Sequence, residues 1–399
     1  MSRYTAKRTT LAALSVVASI ASASRLLSAS PVDPRRPTVL SARETPLPSE
    51  AAQDAPFRTL RVKWEQRLPL GGPMVSIGDG IVVGSRTGVH VIDAAGHEST
   101  RVSIDPAPVA LTLLGDGRVL SQNGSQFQGI CLPISACKTS YVAQTPTAIG
   151  PALPAVPFPG GGAIVATGRE LLALDGDGRT WGTADMGGVV THLFPGSKAG
   201  YPGTALAIVD TSTGSRVRSF HPSRGTQTIA DVDGLVTTAA LSGRNLYVAI
   251  GGSTLAQVDG DLKTATPLQQ LPLGIHALGA LPDGGVAALV GSLSGYALLL
   301  TTPRGSRLLP LEAVPNLDGG VPPVGLGYAA IASDSRGFVA VLTPSGALSM
   351  LTPEGTILRF PERPCGTDRL AHPPVLAAMP GIGLVLGCPS GRTIAFVSE

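Results

Sequence analysis

Six histidines and four cysteines are the residues of this 399-residue chain whose types could carry metal, redox or acid–base chemistry. His192, His276 and His372 each fall near the start of an apolar run, and imidazoles gathered from separate segments could hold a metal or a substrate. Their distances to the following turn differ, with 3 residues to Pro195, 6 to Pro282 and 8 to Pro380, so they do not make one ring. Separate polar or packing roles are the plainer reading. His90 lies within another run, His97 and His221 lie near turns, and none of these three has an informative partner in the sequence.

The cysteines are Cys131, Cys137, Cys365 and Cys388, an even number that permits disulfides in an exported chain. Pairing within one or two neighbouring strands joins Cys131 to Cys137 and Cys365 to Cys388, with four buried thiols as the alternative. Neither a C-x-x-C pair nor a His-Cys cluster is present, so no zinc site is predicted. Asp-rich turns recur as "DGDG" at 175–178, "DVDG" at 231–234 and "VDGD" at 258–261, but none completes the oxygen-ligand set of a calcium loop. Asp-Gly is also a strong hairpin signal, and the structural reading is preferred. The chain has no G-x-S-x-G elbow, no G-x-x-x-x-G-K-[ST] and no H-E-x-x-H. A Ser-His-Asp set stays open, because its members can be distant in sequence.

The elements that would position these groups are short strands. With 50 Gly, 35 Pro and 14% charged residues in a chain that is 43% hydrophobic, long helices have little room, and tight turns between apolar runs are implied. A repeat is visible. "GVHVIDAAG" at 88–96, "RELLALDGDG" at 169–178 and "GTALAIVDTSTG" at 203–214 share an apolar run, Asp, a turn and Gly, and are read as third strands. Weaker copies are "STLAQVDGD" at 253–261, "GYALLLTTPRG" at 295–305, "GALSMLTPEG" at 346–355 and "GRTIAFVSE" at 391–399. A second strand precedes most copies, as in "GGAIVATG" at 161–168, and a first strand with a Gly turn precedes that. First strands restart near 73, 107, 150, 188, 234, 274, 324 and 373, roughly every 40 residues.

Four-stranded units at this spacing cannot bury both faces alone, and radial stacking as blades of a β-propeller solves the problem. The reading is all-β with about eight blades, seven being the alternative. The last unit ends on its third strand, while "LRVKWEQRL" at 60–68 precedes the first complete unit without partners of its own. It is predicted to close the ring as the outermost strand of the last blade, which sets Val62 and Trp64 near Ile394 and Phe396. Trp181 and Trp64 then both fall on fourth strands, and first strands, with the three histidines, line the central channel.

Ahead of the propeller, Arg3, Lys7 and Arg8, the run Leu11–Ile20 and Ala21-Ser22-Ala23 read as a Sec-type signal peptide over 1–23. Cleavage is favoured over an uncleaved anchor, because Arg25 interrupts the run before it reaches the length of a span. Residues 24–59, rich in Pro, Ser and Ala, read as a disordered linker, and 60–399 as the propeller. Without the signal the chain holds 27 basic and 27 acidic residues. That balance lacks the basic surplus of a nucleic-acid binder. The expectations are a periplasmic or extracellular location, no span after cleavage, and a monomer.

The pattern of an apolar run to Ala/Ile-x-Asp, a small turn, Gly and then Trp resembles the repeat of bacterial pyrroloquinoline-quinone-like propellers. "ELLALDGDGRTW" at 170–181 is the nearest match, followed by "TALAIVDTSTGSRV" at 204–217. "RNLYVAIGGSTLAQVD" and "LPDGG" are similar to related exported propellers with a Tyr-Val-rich repeat, so the subfamily stays open. The quinone-like resemblance implies either a cofactor-dependent alcohol or sugar dehydrogenase or a cofactor-free scaffold, such as a lipoprotein subunit of the outer-membrane assembly machine. The dehydrogenases pair Trp platforms with calcium, and many carry adjacent cysteines. Here there are two Trp and no adjacent cysteines. The scaffold branch fits better, although a lipid-bearing Cys is absent. That branch implies no cofactor, a protein or envelope partner, and a non-catalytic role, the alternative being an enzyme using the channel as a degenerate quinoprotein, lyase or hydrolase. With 16 aromatic residues in the whole chain, a lectin is weakly supported.

Overall fold

The computed structural model describes residues 58–69, 71–78, 80–132, 137, 140–145, 151–200, 203–259, 263–292, 295–313, 328–366, 373–379 and 382–397. The expected signal segment, the linker up to residue 57 and His372 lie outside them.

Buried runs such as Ile81–Ser85, Gly88–Ile92 and Gly162–Thr167 are apolar on consecutive residues rather than alternate ones. A strand written that way must be covered on both faces. The chain meets this demand as a β-propeller: the described strands form antiparallel meanders of four, and the side chains between consecutive meanders make the core. Eight clusters of buried apolar residues are found among the described residues, each drawing on two neighbouring meanders. The first meander, Met74–Ile77 to Glu98–Val102, shares one cluster with the second, Ala110–Leu113 to Tyr141–Gln144. The eighth shares the cluster of Trp64, Ile81, Val83 and Val385 with the first, so the packing runs full circle.

The fourth blade runs Val189–Pro195, Ala205–Thr211, Gly214–His221 and Gly225–Val232. This corrects one expectation: 203–214 holds a second strand, not a third. Its Asp210-Thr211-…-Gly214 hairpin has the same letters as a third-strand turn, because both hairpins need a short polar turn followed by Gly. "DVDG" at 231–234 is likewise no hairpin, since Asp231 belongs to the outer strand and pairs with Arg216 at 2.5 Å.

The ring closes through its two ends. Val62–Arg67 lies antiparallel to Arg392–Phe396 as the outer strand of the eighth blade, with Val62 opposite Phe396, Trp64 opposite Ala395 and Glu65 opposite Ile394. Just before it, Arg58–Thr59, assigned to the linker from composition, forms a parallel fifth strand on Ile357–Arg359 of the seventh blade. Leu60, 2% exposed, is buried in the seam between these two blades. The entering chain therefore stitches the seventh blade to the eighth.

Three further ties surround this seam. Arg392 holds Glu65 through two 2.9 Å bonds, from Nε to Oε1 and from Nη2 to Oε2, and donates from Nη1 to the Pro364 carbonyl. The Arg392 hydrogen bonds hold the Glu65 carboxyl below its usual pKa. A disulfide joins Cys365, beyond the last strand of the seventh blade, to Cys388, beyond the second strand of the eighth. On the other side of the eighth blade, the Trp64 indole lies against Gly96 in the "DAAG" turn of the first blade, and Nε1 donates to Ala94 O at 3.2 Å. Gly96 has φ +90°, and a Cβ there would fall 2.6 Å from Trp64 Cγ, so only glycine accommodates both the turn and the ring. A second disulfide, Cys131–Cys137, lies in the third-to-fourth-strand connection of the second blade.

Candidate functional site

The inner wall is made of first strands, since first strands of neighbouring blades approach one another, as Val236–Ser242 and Gly274–Ala280 do. In three consecutive blades this strand carries an extra residue. The register slips between Val190 and His192 in the fourth blade, between Val236 and Thr238 in the fifth, and between Ile275 and Ala277 in the sixth. The residue before each slip, Val190, Val236 or Ile275, is buried. The inserted residues are Thr191, Thr237 and His276. No such slip occurs in the first strands of the other five blades among the described residues. A bulge leaves one residue out of the ladder and re-aims its side chain, and bulges recur beside binding and active sites.

The three inserted side chains do the same thing. Thr191 Oγ1 donates to Ile208 O at 3.4 Å, Thr237 Oγ1 donates to Ala249 O at 3.3 Å, and His276 Nε2 lies 3.3 Å from Gly291 O. Each thus reaches a carbonyl of the second strand of its own blade. Thr237 and His276 are exposed and Thr191 is half-buried.

These contacts fix where protons sit. A carbonyl only accepts, so His276 carries its hydrogen on Nε2, and in the neutral ring Nδ1 is an acceptor. The Thr191 hydroxyl proton is spent on Ile208, so the 3.1 Å contact between His192 Nδ1 and Thr191 Oγ1 uses a hydrogen on Nδ1. His192 Nε2 is then an acceptor. Burial pushes the His192 imidazole below its usual pKa and so favours the neutral ring, against the raising effect of the Asp210 carboxylate. Phe194 stacks beside it with centroids 6.3 Å apart, and His276 meets Tyr296 edge to face at 5.5 Å. Asp210 itself accepts from Ser215 Oγ at 2.6 Å, and Ser215 Oγ accepts from Val236 N at 2.9 Å, tying the fourth blade to the fifth.

Of the three histidines singled out from sequence, His192 and His276 therefore stand on inner strands of the fourth and sixth blades, one beside and one at the bulge. His372 lies outside the described residues. Among the described residues no three His, Cys, Asp or Glu side chains form a metal-holding group.

His90 is different from the expectation, because it has two partners. Its Nε2 is 2.8 Å from Ser85 Oγ and its Nδ1 is 2.8 Å from Glu98 Oε1. The order hydroxyl, imidazole, carboxylate is that of a nucleophile, base and orienting acid. The burial is inverted, however. Ser85 and His90 are 3% and 1% exposed, whereas the acid faces solvent, and Ser85 Oγ also reaches Gly88 O at 3.2 Å and Thr87 Oγ1 at 3.1 Å. This set ties together three strands of the first blade; a substrate carbonyl has no route to the hydroxyl. The Asp-rich turn at 175–178 is also structural, with Asp175 Oδ1 accepting from the Asp177 and Arg179 amides at 2.9 and 2.8 Å.

Solved structures of similar architecture are propellers. BamB from Moraxella catarrhalis aligns over 85% of this chain and 99% of its own, with TM-score 0.53 and 16% identity. The Dos1 propeller aligns over 84% and 94%, with TM-score 0.58 and 10% identity. The computationally designed Ika8 protein aligns over 85% and 99%, with TM-score 0.54 and 14% identity. No family profile and no curated protein sequence matches the chain. At these identities the likeness is one of fold.

Proposed function

We propose that this chain is an exported, non-catalytic propeller of the quinone-like repeat type, acting as a binding or scaffolding module in the bacterial cell envelope. The single observation that carries this reading is the reuse of one bulge in three consecutive blades, which puts two hydroxyls and an imidazole at equivalent places of three first strands, each just after a buried residue. Such repeated re-aiming of polar side chains suits the holding of a partner or ligand. The amino-terminal segment with its A-x-A pattern and the two disulfides support export. Balanced charge speaks for a protein or envelope partner over a nucleic acid. The docking of Trp64 on the Asp-x-x-Gly turn of the following blade supports the quinone-like repeat, and Tyr141 against Gly178 repeats it between the second and third blades.

The test is purification of the full-length product from an envelope fraction after in vivo crosslinking. A mature amino terminus at Ser24 and a discrete crosslinked envelope protein are expected, with an absorbance spectrum unchanged by added pyrroloquinoline quinone and calcium. A quinone band accompanied by alcohol oxidation through an artificial electron acceptor would replace this reading with a dehydrogenase.

A further inference from the structure

We infer that the cavity at the break in the ring, between the entering chain and the seventh blade, takes an acidic, extended peptide segment of a partner protein, with an apolar residue among its carboxylates. This rests on the binding-module reading and gives that partner a place and a chemistry.

The eighth blade differs from others at one point. In the first, third and seventh blades the third strand passes into the fourth through a tight turn, closed by Gly96 N to Asp93 O, Gly178 N to Asp175 O and Gly355 N to Thr352 O. In the eighth blade the third strand runs to Phe396, and its outer neighbour is supplied from Val62–Arg67. Where the others have a turn, Val397 and Arg61 face each other, with Val397 N donating to Arg61 O at 2.9 Å. A cavity of about 790 Å³ opens there, walled by Arg58 and Arg61 of the entering chain, by Phe338, Glu354 and Leu358 of the seventh blade, and by Val397.

Its floor is apolar and its rim cationic. Phe338 and Leu358 are buried and Val397 is half-buried, whereas Arg58 and Arg61 are exposed. Arg67, Arg118, Arg216, Arg336 and Arg392 each pair with a carboxylate; Arg58 and Arg61 pair with none among the described residues. Glu354 is the opposing charge on the wall, and the Thr352 side chain engages it. Arg307 of the sixth blade reaches the same turn, since a Cβ on Gly355 would lie 3.2 Å from its Nη1. Three guanidinium groups thus surround one engaged carboxylate, and the site is complementary to added negative charge.

The form of that charge follows from the setting. Arg58 and Arg61 stand three residues apart, up to about 10 Å along an extended chain, which suits two carboxylates better than one. Arg58–Thr59 is the last strand of its sheet among the described residues, and such an edge takes an extended peptide through main-chain hydrogen bonds. An anionic membrane is recognised by clusters of about 4–8 basic residues. The recessed floor of Phe338 and Leu358 suits a single apolar side chain instead.

The experiment uses the mature protein and the fluorescein-labelled pentapeptide EELEE, with EEAEE and QQLQQ as controls, read by fluorescence anisotropy. Saturable binding of EELEE is expected, about tenfold weaker for EEAEE through the lost leucine burial and weaker still for QQLQQ. Arg58→Gln and Arg61→Gln should each weaken it about fivefold with Tm unchanged, Glu354→Gln should tighten it, and about 0.5 M salt should weaken it. Absence of saturable binding, equal binding of QQLQQ, or indifference to both arginine variants overturns the inference. So does EELEE binding that is gained only when Ser398 and Glu399 are deleted, which would give the cavity to the chain's own acidic residue. Binding to phosphatidylglycerol vesicles that is lost in the arginine variants while EELEE does not bind would give it to a membrane. Failure of EELEE with a discrete envelope crosslink retained overturns this inference alone, whereas absence of that crosslink bears on the envelope role.

Discussion

The contact between Trp64 and Gly96 lends itself to a quantitative test, because the structure separates the two costs of filling the glycine. Gly96→Ala forces a side chain onto a residue with φ +90°, worth about 1–2 kcal/mol, and pushes its methyl to 2.6–2.8 Å from the indole, worth about 1–3 kcal/mol more. Trp64→Ala removes a side chain that is only 8% exposed and should cost about 3–5 kcal/mol. In the Trp64→Ala background the added methyl loses the Cγ and Cδ2 clashes but keeps the one with the Cβ, 2.8 Å away, so the backbone term and part of the steric term survive. The double variant should therefore be about 1–2 kcal/mol more stable than the sum of the single losses predicts. Equilibrium urea unfolding followed by circular dichroism reads all four proteins without relying on the tryptophan being removed. Additivity within about 0.5 kcal/mol would falsify the claim that the indole seats on that turn.

Three other outcomes concern the closing seam and its neighbours. Glu65 has its pKa lowered chiefly by the Arg392 hydrogen bonds, so its stabilising share is present above the ordinary carboxylate pKa and is lost as pH falls through the depressed value. In a Trp181→Phe background, Trp64 fluorescence should report loosening on acidification, and Glu65→Gln should remove that component; an unaltered acid profile counts against the clamp. Thr393 is 0% exposed and its Oγ1 has no hydrogen-bond partner among the described residues, so Thr393→Val should stabilise by about 1 kcal/mol, and a lowered Tm contradicts this. Cys365 and Cys388 are 23 residues apart and Cys131 and Cys137 are 6 apart, so serine replacement of the first pair should cost about 3 kcal/mol against about 2 for the second; the reverse order in denaturant melts would contradict the loop-closure account.

The repeat was legible because blades bury both faces of their inner strands. That requirement writes continuous runs such as "AIVAT" and "ELLAL" into the sequence, with Asp and Gly at fixed places in the turns. Ring closure was legible from an unpartnered strand at one end and a missing one at the other. The phase of 203–214 was not, since second-to-third and third-to-fourth hairpins use the same turn residues. Arg58–Thr59 is too short to show a pattern, and its partner is parallel and 300 residues away in sequence by order of magnitude. The His90 contacts were hidden because Ser85 and Glu98 come from two hairpins whose turn lengths decide the register. A trace of the bulges does exist: Gly188-Val189-Val190-Thr191, Gly234-Leu235-Val236-Thr237 and Gly274-Ile275-His276 each place Thr or His directly after one or two apolar residues that follow Gly. Hydropathy alone does not reveal them, because one inserted residue leaves the run apolar.

The circle divides its labour. In the seventh blade the strands are 3 or 4 residues long, and in the eighth 5 or 6, so each contributes few ladder bonds. This is where the disulfide, the Arg392 clamp and the docked indole are concentrated. The sixth blade, with strands of 7 to 9 residues, holds together by its own ladders, and the fourth blade is similarly built with 7 or 8. Their long strands tolerate an inserted residue that a four-residue strand could not absorb without losing a large part of its pairing. The first-strand bulges consequently sit in blades with longer ladders, while the outer strand of the eighth blade carries its own bulge at Lys63 beside the staples that reinforce its shorter ladders. Changes at Glu65, Trp64 or Cys388 should move global stability while leaving the properties of Thr237 and His276 unaltered, since distant sites without shared partners act additively.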